Sequence, residues 1–232
     1  SYGRAAHALM LGVGDPVVTY DGVRRGKAWD EFQVEHADAT ILTTKEGETI
    51  YGMVDAFRAH ETCRSIIAQM SAAESPLTWQ DTNTRGKALL DIALDTSGTY
   101  QGGIVDVKTC QDATPRAFGR TIVSYGYDMQ LAWYARGWRK THGEWPHTCA
   151  IVAVEKAAPY AIGVYRIPLD VIRDRQERID SLLSLLWDCT LGGRWPGPTV
   201  GIEDAMLPAW AMPGADEDGN VGLTVGDQTI AT

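Results

Sequence analysis

The stretch Gly103-Ile104-Val105-Asp106-Val107-Lys108-Thr109 constrains the fold more than any other part of the chain. It is apolar enough to be a buried strand, yet it carries two charges on alternate residues. Side chains alternate between the faces of a strand, so Asp106 and Lys108 share a face with Ile104, and Val105 and Val107 take the other. A carboxylate and an ammonium are costly to desolvate unless they are paired or bind something. Upstream, Lys87-Ala88-Leu89-Leu90-Asp91-Ile92-Ala93-Leu94 reads as a second apolar strand with one embedded carboxylate. Between them, Asp95-Thr96-Ser97-Gly98-Thr99-Tyr100-Gln101-Gly102 is rich in turn formers, which predicts a hairpin.

Asp91 followed across a hairpin by Asp106-x-Lys108 is an arrangement that builds a divalent-metal site for phosphodiester hydrolysis. That reaction needs an activated water, a Lewis acid on the phosphoryl oxygen and stabilisation of the leaving group, which one or two Mg²⁺ ions supply. Mg²⁺ prefers hard oxygen ligands in octahedral geometry and keeps several waters. Asp91 and Asp106 are the expected ligands, with the Val107 carbonyl as a third. Lys108 is expected to orient the attacking water and to offset charge in the transition state. Glu74, opening Glu74-Ser75-Pro76-Leu77-Thr78-Trp79, is the candidate carboxylate from a neighbouring element. A lone D-x-K in a strand is commonly a solvated edge pattern, but both strands here are too apolar to be exposed faces.

Pro115–Gly126 and Tyr127–Ala135 read as two helical segments broken near Gly126. Gln130 and Tyr134 are four apart and share a helix face. As ordinary residues they would be a surface amide and a core aromatic; as site residues both reach the metal site or the scissile phosphate.

The order E…D…D-x-K…Q-x-x-x-Y resembles the PD-(D/E)XK nuclease superfamily, in its RecB-like branch. Within that branch the chain resembles the RecE-type exonucleases (exonuclease VIII) of phages and prophages. Gly3-Arg4-Ala5-Ala6-His7-Ala8-Leu9-Met10-Leu11-Gly12 is similar to that group's histidine-bearing helix. Val154-Glu155-Lys156-Ala157-Ala158-Pro159-Tyr160 is similar to its strand after the catalytic pair, and Leu207-Pro208-Ala209-Trp210 to its closing segment. The resemblance implies that His7, Asp91, Asp106 and Val107 form the metal site, that Lys108 is the catalytic lysine, and that Glu74, Gln130 and Tyr134 support it. It implies Mg²⁺ as the cofactor, with Mn²⁺ able to substitute. It further implies double-stranded DNA ends as substrate, digested 5′ to 3′ to leave 3′ single strands. The partners it implies are other copies of the chain in a ring around DNA and a single-strand annealing recombinase. Two departures stand out: Leu90 replaces the proline before the first aspartate, and Leu89 replaces the usual basic residue two positions before it.

The fold class these patterns predict is α/β (α+β): a central mixed β-sheet flanked by helices, with a restriction-endonuclease-like core. The chain has 232 residues, enough for one sizeable core. The expected organisation is one nuclease domain over residues 1–211, with an N-terminal portion missing before Ser1, and a disordered acidic tail over 212–232 around Asp216-Glu217-Asp218. Thr43-Thr44-Lys45-Glu46 reads as a capping box opening a long helix towards Ala68. Leu169–Leu191 reads as an amphipathic helix with Ile172, Ile179, Leu182, Leu183 and Leu186 on one face.

Net charge is −9, which excludes a broadly basic nucleic-acid surface and leaves room only for a local groove. Candidate phosphate contacts are Arg24, Arg25, Lys27, Arg116 and Arg120. No run resembles a signal peptide or a transmembrane helix, so no membrane partner is expected. Cys63, Cys110, Cys149 and Cys189 stand far apart with no C-x-x-C, which argues against a zinc or iron–sulfur site and fits a reducing bacterial cytoplasm. Two other readings compete. Asp95-Thr96-Ser97-Gly98 looks like an aspartic-protease loop, but that enzyme needs two such aspartates and no second copy is present. Within the nuclease reading, a structure-specific endonuclease would use the same metal site, and a non-catalytic DNA-binding or assembly module would use the same fold.

Overall fold

The alternation expected of the Gly103–Thr109 segment divides the molecule into layers. A computed structural model describes residues 2–199, 201–207, 223–225 and 228–230. The chain divides into two compact units, Ser1–Trp187 and Asp188–Thr232. The first is built on five strands: β3 (Met70–Gln80), β4 (Arg85–Leu94), β5 (Gly103–Cys110), β6 (Thr148–Glu155) and β7 (Ile162–Arg166). They lie side by side in that order. The β5–β6 pairing is parallel and the others antiparallel, so the sheet is mixed as expected.

Each face of the sheet buries its own helical layer. On one side α1 (Tyr2–Leu11), α3 (Thr44–Ala59) and α4 (Glu61–Ala68) cover Ile92, Leu94, Val105, Val107, Val152 and Val154. On the other, α5 (Pro115–Tyr125), α6 (Tyr127–His142) and α7 (Leu169–Gly192) cover Leu90, Ile104, Ile151 and Ala153. Strands covered on both faces read as near-continuous apolar runs, which explains why β5 and β6 carry so few polar residues. Ile104 therefore fixes the side to which Asp106 and Lys108 turn: the α5–α6 side.

The capping box forms as expected. The Thr43 hydroxyl accepts from the Glu46 N–H at 3.2 Å, and the Glu46 carboxylate accepts from the Thr43 N–H at 2.7 Å. The long helix it opens is broken, however. His60 adopts extended backbone, ending α3 and starting α4. A short parallel pair absent from the sequence reading, β1 (Val17–Tyr20) with β2 (Thr40–Thr43), flanks α2 (Lys27–Glu35). The break between α5 and α6 falls at Gly126, whose φ of 68° lies in the left-handed region open to glycine. On α7, Ile172 and Ile179 are buried, whereas Leu182 and Leu186 are exposed, so only the first half of its apolar stripe enters the core.

Close approach of α6 to the β3–β4 hairpin depends on Gly137. A Cβ there would stand 2.5 Å from the Trp79 ring, which packs against Trp133 at 4.8 Å between centroids. Beside this contact, buried Asp81 in the β3–β4 turn meets the Arg136 guanidinium through two bonds, of 2.6 and 2.8 Å. Arg136 also reaches Asp180 of α7 at 2.8 Å, tying the hairpin to both helices. In the second unit, Leu223–Val225 (β8) and Gln228–Ile230 (β9) pair antiparallel. The acidic stretch Asp216–Asp218 and the segment Pro208–Trp210 lie outside the described residues.

Removing one partner of a buried pair leaves an uncompensated charge. Arg136→Leu is therefore expected to cost about 3–5 kcal/mol in urea unfolding. The Arg136 guanidinium holds the Asp81 carboxyl well below the usual carboxylate range. A depressed folded-state pKa contributes stability that is complete above the unfolded value, about 4, and is lost as pH falls below it. Asp81→Asn is expected to flatten that acid-side decline, measured as melting temperature between pH 3 and 7.

Candidate metal centre

The site begins where two strands part. The β4–β5 ladder holds for only Ile92↔Val105, Ala93↔Ile104 and Leu94↔Gly103. One residue further it would set Asp91 against Asp106, and there the ladder stops. The Asp91 carboxylate takes over the strand's role: its Oδ2 accepts the Val107 N–H at 2.7 Å. The Val107 carbonyl, on the same edge of β5, lies 2.6 Å from His7 Nε2. A carbonyl only accepts, so Nε2 carries a proton, and Nδ1 lies 3.7 Å from Asp91 Oδ2. Because β5 keeps its full parallel ladder with β6, these groups hang on a rigid strand.

Glu74 completes a row across three strands. The β3–β4 register, Ala73↔Ile92 and Ser75↔Leu90, brackets Glu74 opposite Asp91. Glu74 itself has φ 48°, in the left-handed region that costs a non-glycine residue on the order of 1–2 kcal/mol. Ligand atoms of His7, Glu74 and Asp91 lie within 4.8 Å of one another. His7 and Glu74 face a cleft of about 370 Å³, also lined by Gly3, Arg4, Asp15 and Thr40.

Behind this group lies a second one on the α5–α6 side. Asp106 is 2% exposed, and its Oδ2 stands 2.5 Å from Lys108 Nζ. That contact is a buried ion pair between the carboxylate and the ammonium. Gln130 Nε2 donates to Asp106 Oδ1 at 3.3 Å and lies 2.7 Å from the Tyr134 hydroxyl. Tyr127 lies under Lys108, whose Nζ is 5.0 Å from the ring centroid. Burial, and then the charge of Asp91, push the Asp106 carboxyl up to about 6 despite Lys108. Burial works against the Lys108 ammonium, but the Asp106 carboxylate outweighs it and the lysine's pKa is raised.

The structure thus assembles His7, Glu74, Asp91 and Val107 on one side of the gap and Asp106, Lys108, Gln130 and Tyr134 on the other. Glu74 lies among the prospective ligands rather than behind them. Asp106 is turned towards Lys108 and Gln130. The donor set suits a divalent cation: hard carboxylate oxygens from Glu74 and Asp91 and one imidazole nitrogen from His7. Two neighbours escaped the sequence reading. Tyr127 shares the i, i+3, i+7 face of Gln130 and Tyr134, which was the available signal. Arg4 lies one helical turn before His7. Of the expected phosphate contacts, Arg24 is engaged by Glu46 at 3.4 Å and by the Ile41 carbonyl at 3.1 Å, whereas Arg116 and Arg120 are exposed.

Residues 24–204 match the family described as PDDEXK-like domain of unknown function (DUF3799). The chain belongs to that family. No curated protein matches it. Among solved structures it is similar to the crystal structure of a "Putative exonuclease" from Eubacterium rectale, with a TM-score of 0.60 and 16% identity over 84% of this chain and 68% of the other. At that identity the likeness establishes the fold alone, a mixed sheet flanked by helices. The family match begins after α1, so His7 and Arg4 are assigned to the site by geometry.

Lys108 offsets only part of the cost of ionising Asp106, whose folded-state pKa stays raised, so ionisation there costs stability. That penalty is absent below the unfolded value, about 4, and grows as pH rises through about 6. Asp106→Asn removes that titration but also leaves Lys108 without its counter-ion at every pH, so in a chelator the parent is expected to lose melting temperature between pH 4 and 7.5 that Asp106→Asn does not lose, as measured by calorimetry.

Proposed function

We propose that this chain is a divalent-metal-dependent deoxyribonuclease that degrades linear double-stranded DNA from its ends. The observation that carries the reading is the row Glu74–Asp91–Asp106 across three neighbouring strands, with Lys108 paired to its last member. Mg²⁺, or Mn²⁺ in its place, would be held by Asp91, Asp106, Glu74 and His7, with the second lone pair of the Val107 carbonyl also available. The bound ion supplies Lewis-acid polarisation of the phosphoryl group and a water of lowered pKa.

The chain's own residues do the remainder. Lys108 donates N–H bonds towards the attacking water and the phosphoryl oxygens, and its charge opposes the negative charge that develops there. Tyr127 and Asp106 hold its ammonium from two sides. Gln130 fixes the Asp106 carboxylate, and Tyr134 fixes Gln130. His7 ties the Val107 carbonyl and so holds the β5 edge against α1. Arg4 lies in the cleft where an incoming phosphate would pass.

The resemblance to RecE-type exonucleases supports the finer reading: 5′ to 3′ polarity, a ring of identical subunits around the duplex, and a 3′ strand delivered to an annealing recombinase. A ring would supply processivity to a chain of net charge −9, which has no broadly basic surface. The buried free thiols Cys63, Cys110 and Cys149 suit a reducing compartment such as the bacterial cytoplasm. Among the described residues no helix is long and apolar enough to cross a membrane.

Incubation with Mg²⁺ and matched linear and closed-circular duplexes tests the substrate. Linear DNA is expected to be consumed and circles spared; equal cleavage of both would replace the exonuclease by an endonuclease. Lys108→Ala is expected to bind Mn²⁺ at least as tightly as the parent by calorimetry, because a nearby cation has gone. It should lose roughly 10²–10⁴ in single-turnover rate, the scale of one positioned proton-transfer or electrostatic group. Cleavage at the parental rate would remove Lys108 from the mechanism.

A further inference from the structure

The aromatic contact under Lys108 continues outwards to the surface. Tyr127 stacks on Tyr125, with centroids 5.8 Å apart and planes 19° from parallel. Tyr125 is 74% exposed. Asp106, Lys108, Tyr127 and Tyr125 therefore form one column from the buried carboxylate to solvent. The turn that builds it is Gly126, left-handed between the last residue of α5 and the first of α6, which brings two residues adjacent but one into face contact. Aromatic rings of a soluble protein are ordinarily covered. Here the outer ring lies open at the end of a stack whose inner end is the catalytic lysine.

We propose that Tyr125 is a stacking platform for an unpaired nucleobase of the DNA strand whose backbone enters the Lys108 site. A π-face accepts any base, so the contact would favour single-stranded or frayed ends without reading sequence. The substrate class is thus a duplex end carrying unpaired nucleotides, and a flush, fully stacked end must fray by a base or more to engage. This rests on the DNA-nuclease reading above for its location beside the scissile phosphate, but its test requires no cleavage.

Fluorescence anisotropy of the full chain in a chelator measures binding of a short single-stranded oligonucleotide and of its abasic counterpart. The parent is expected to bind the base-bearing strand more tightly, and Tyr125→Leu to weaken that binding roughly 5- to 160-fold, the range for one base–aromatic stack. Tyr125→Leu is expected to leave abasic binding unchanged, and Tyr125→Phe to restore base-bearing binding. If Tyr125→Leu binds the base-bearing strand like the parent, or loses affinity equally for the abasic strand, the platform is overturned. Base-dependent binding through Tyr125 in a chain that never cleaves DNA would overturn the nuclease reading and keep the platform. Parental cleavage with no effect of Tyr125→Leu on binding would do the reverse.

Discussion

The hydrogen bond from the Val107 N–H to the Asp91 carboxylate is the interaction on which the site depends. A sheet normally satisfies such a donor with the neighbouring strand's carbonyl, and an unpaired buried N–H is costly. Here β4 turns away from β5 after three pairs, and a side chain substitutes for the missing backbone partner. That substitution does two things at once. It fixes the Asp91 carboxylate at the mouth of the gap. It also leaves the Val107 carbonyl free to engage His7 from α1. The gap lets a side chain from α1 reach the backbone edge of β5, which a continuous ladder would occupy.

The electrostatics follow from that geometry. Two carboxylates on neighbouring strands, one of them 2% exposed, repel each other and lack enough water to screen the repulsion. Lys108 offsets only part of it. Catalytic groups are often kept in such unfavourable surroundings, which a bound cation then relieves. The left-handed Glu74 points the same way, since backbone strain of this kind concentrates at functional positions. Elsewhere the fold is conservatively built, with two separate apolar layers and a buried Asp81–Arg136 pair clamping the hairpin to α6 and α7.

Much of this was legible in the sequence, for identifiable reasons. Asp91, Asp106 and Lys108 stand out because residues 88–94 and 103–107 are otherwise apolar, so each charge contradicts its surroundings. The α5–α6 break was legible from Gly126, and the start of α3 from the Thr43–Glu46 box. What escaped has no local signal. Asp81 and Arg136 are 55 residues apart, and neither looks unusual alone. The β1–β2 pair consists of four-residue strands held by parallel pairing, below the length at which alternation is readable. The break at His60 occurs inside a periodic run with no glycine or proline to mark it. Glu74 was found as a supporting carboxylate, but its place among the ligands depends on a register that only the folded sheet defines.

The central claim is that the row Glu74–Asp91–Asp106, with His7, holds a divalent cation beside Lys108. Anomalous X-ray scattering from crystals soaked in Mn²⁺ tests it most directly. The account predicts a manganese peak bonded to Asp91 and Asp106 carboxylate oxygens, with Glu74 or His7 completing the protein ligands. A map with no peak there at saturating Mn²⁺, or with manganese bound only at other carboxylates, would contradict it.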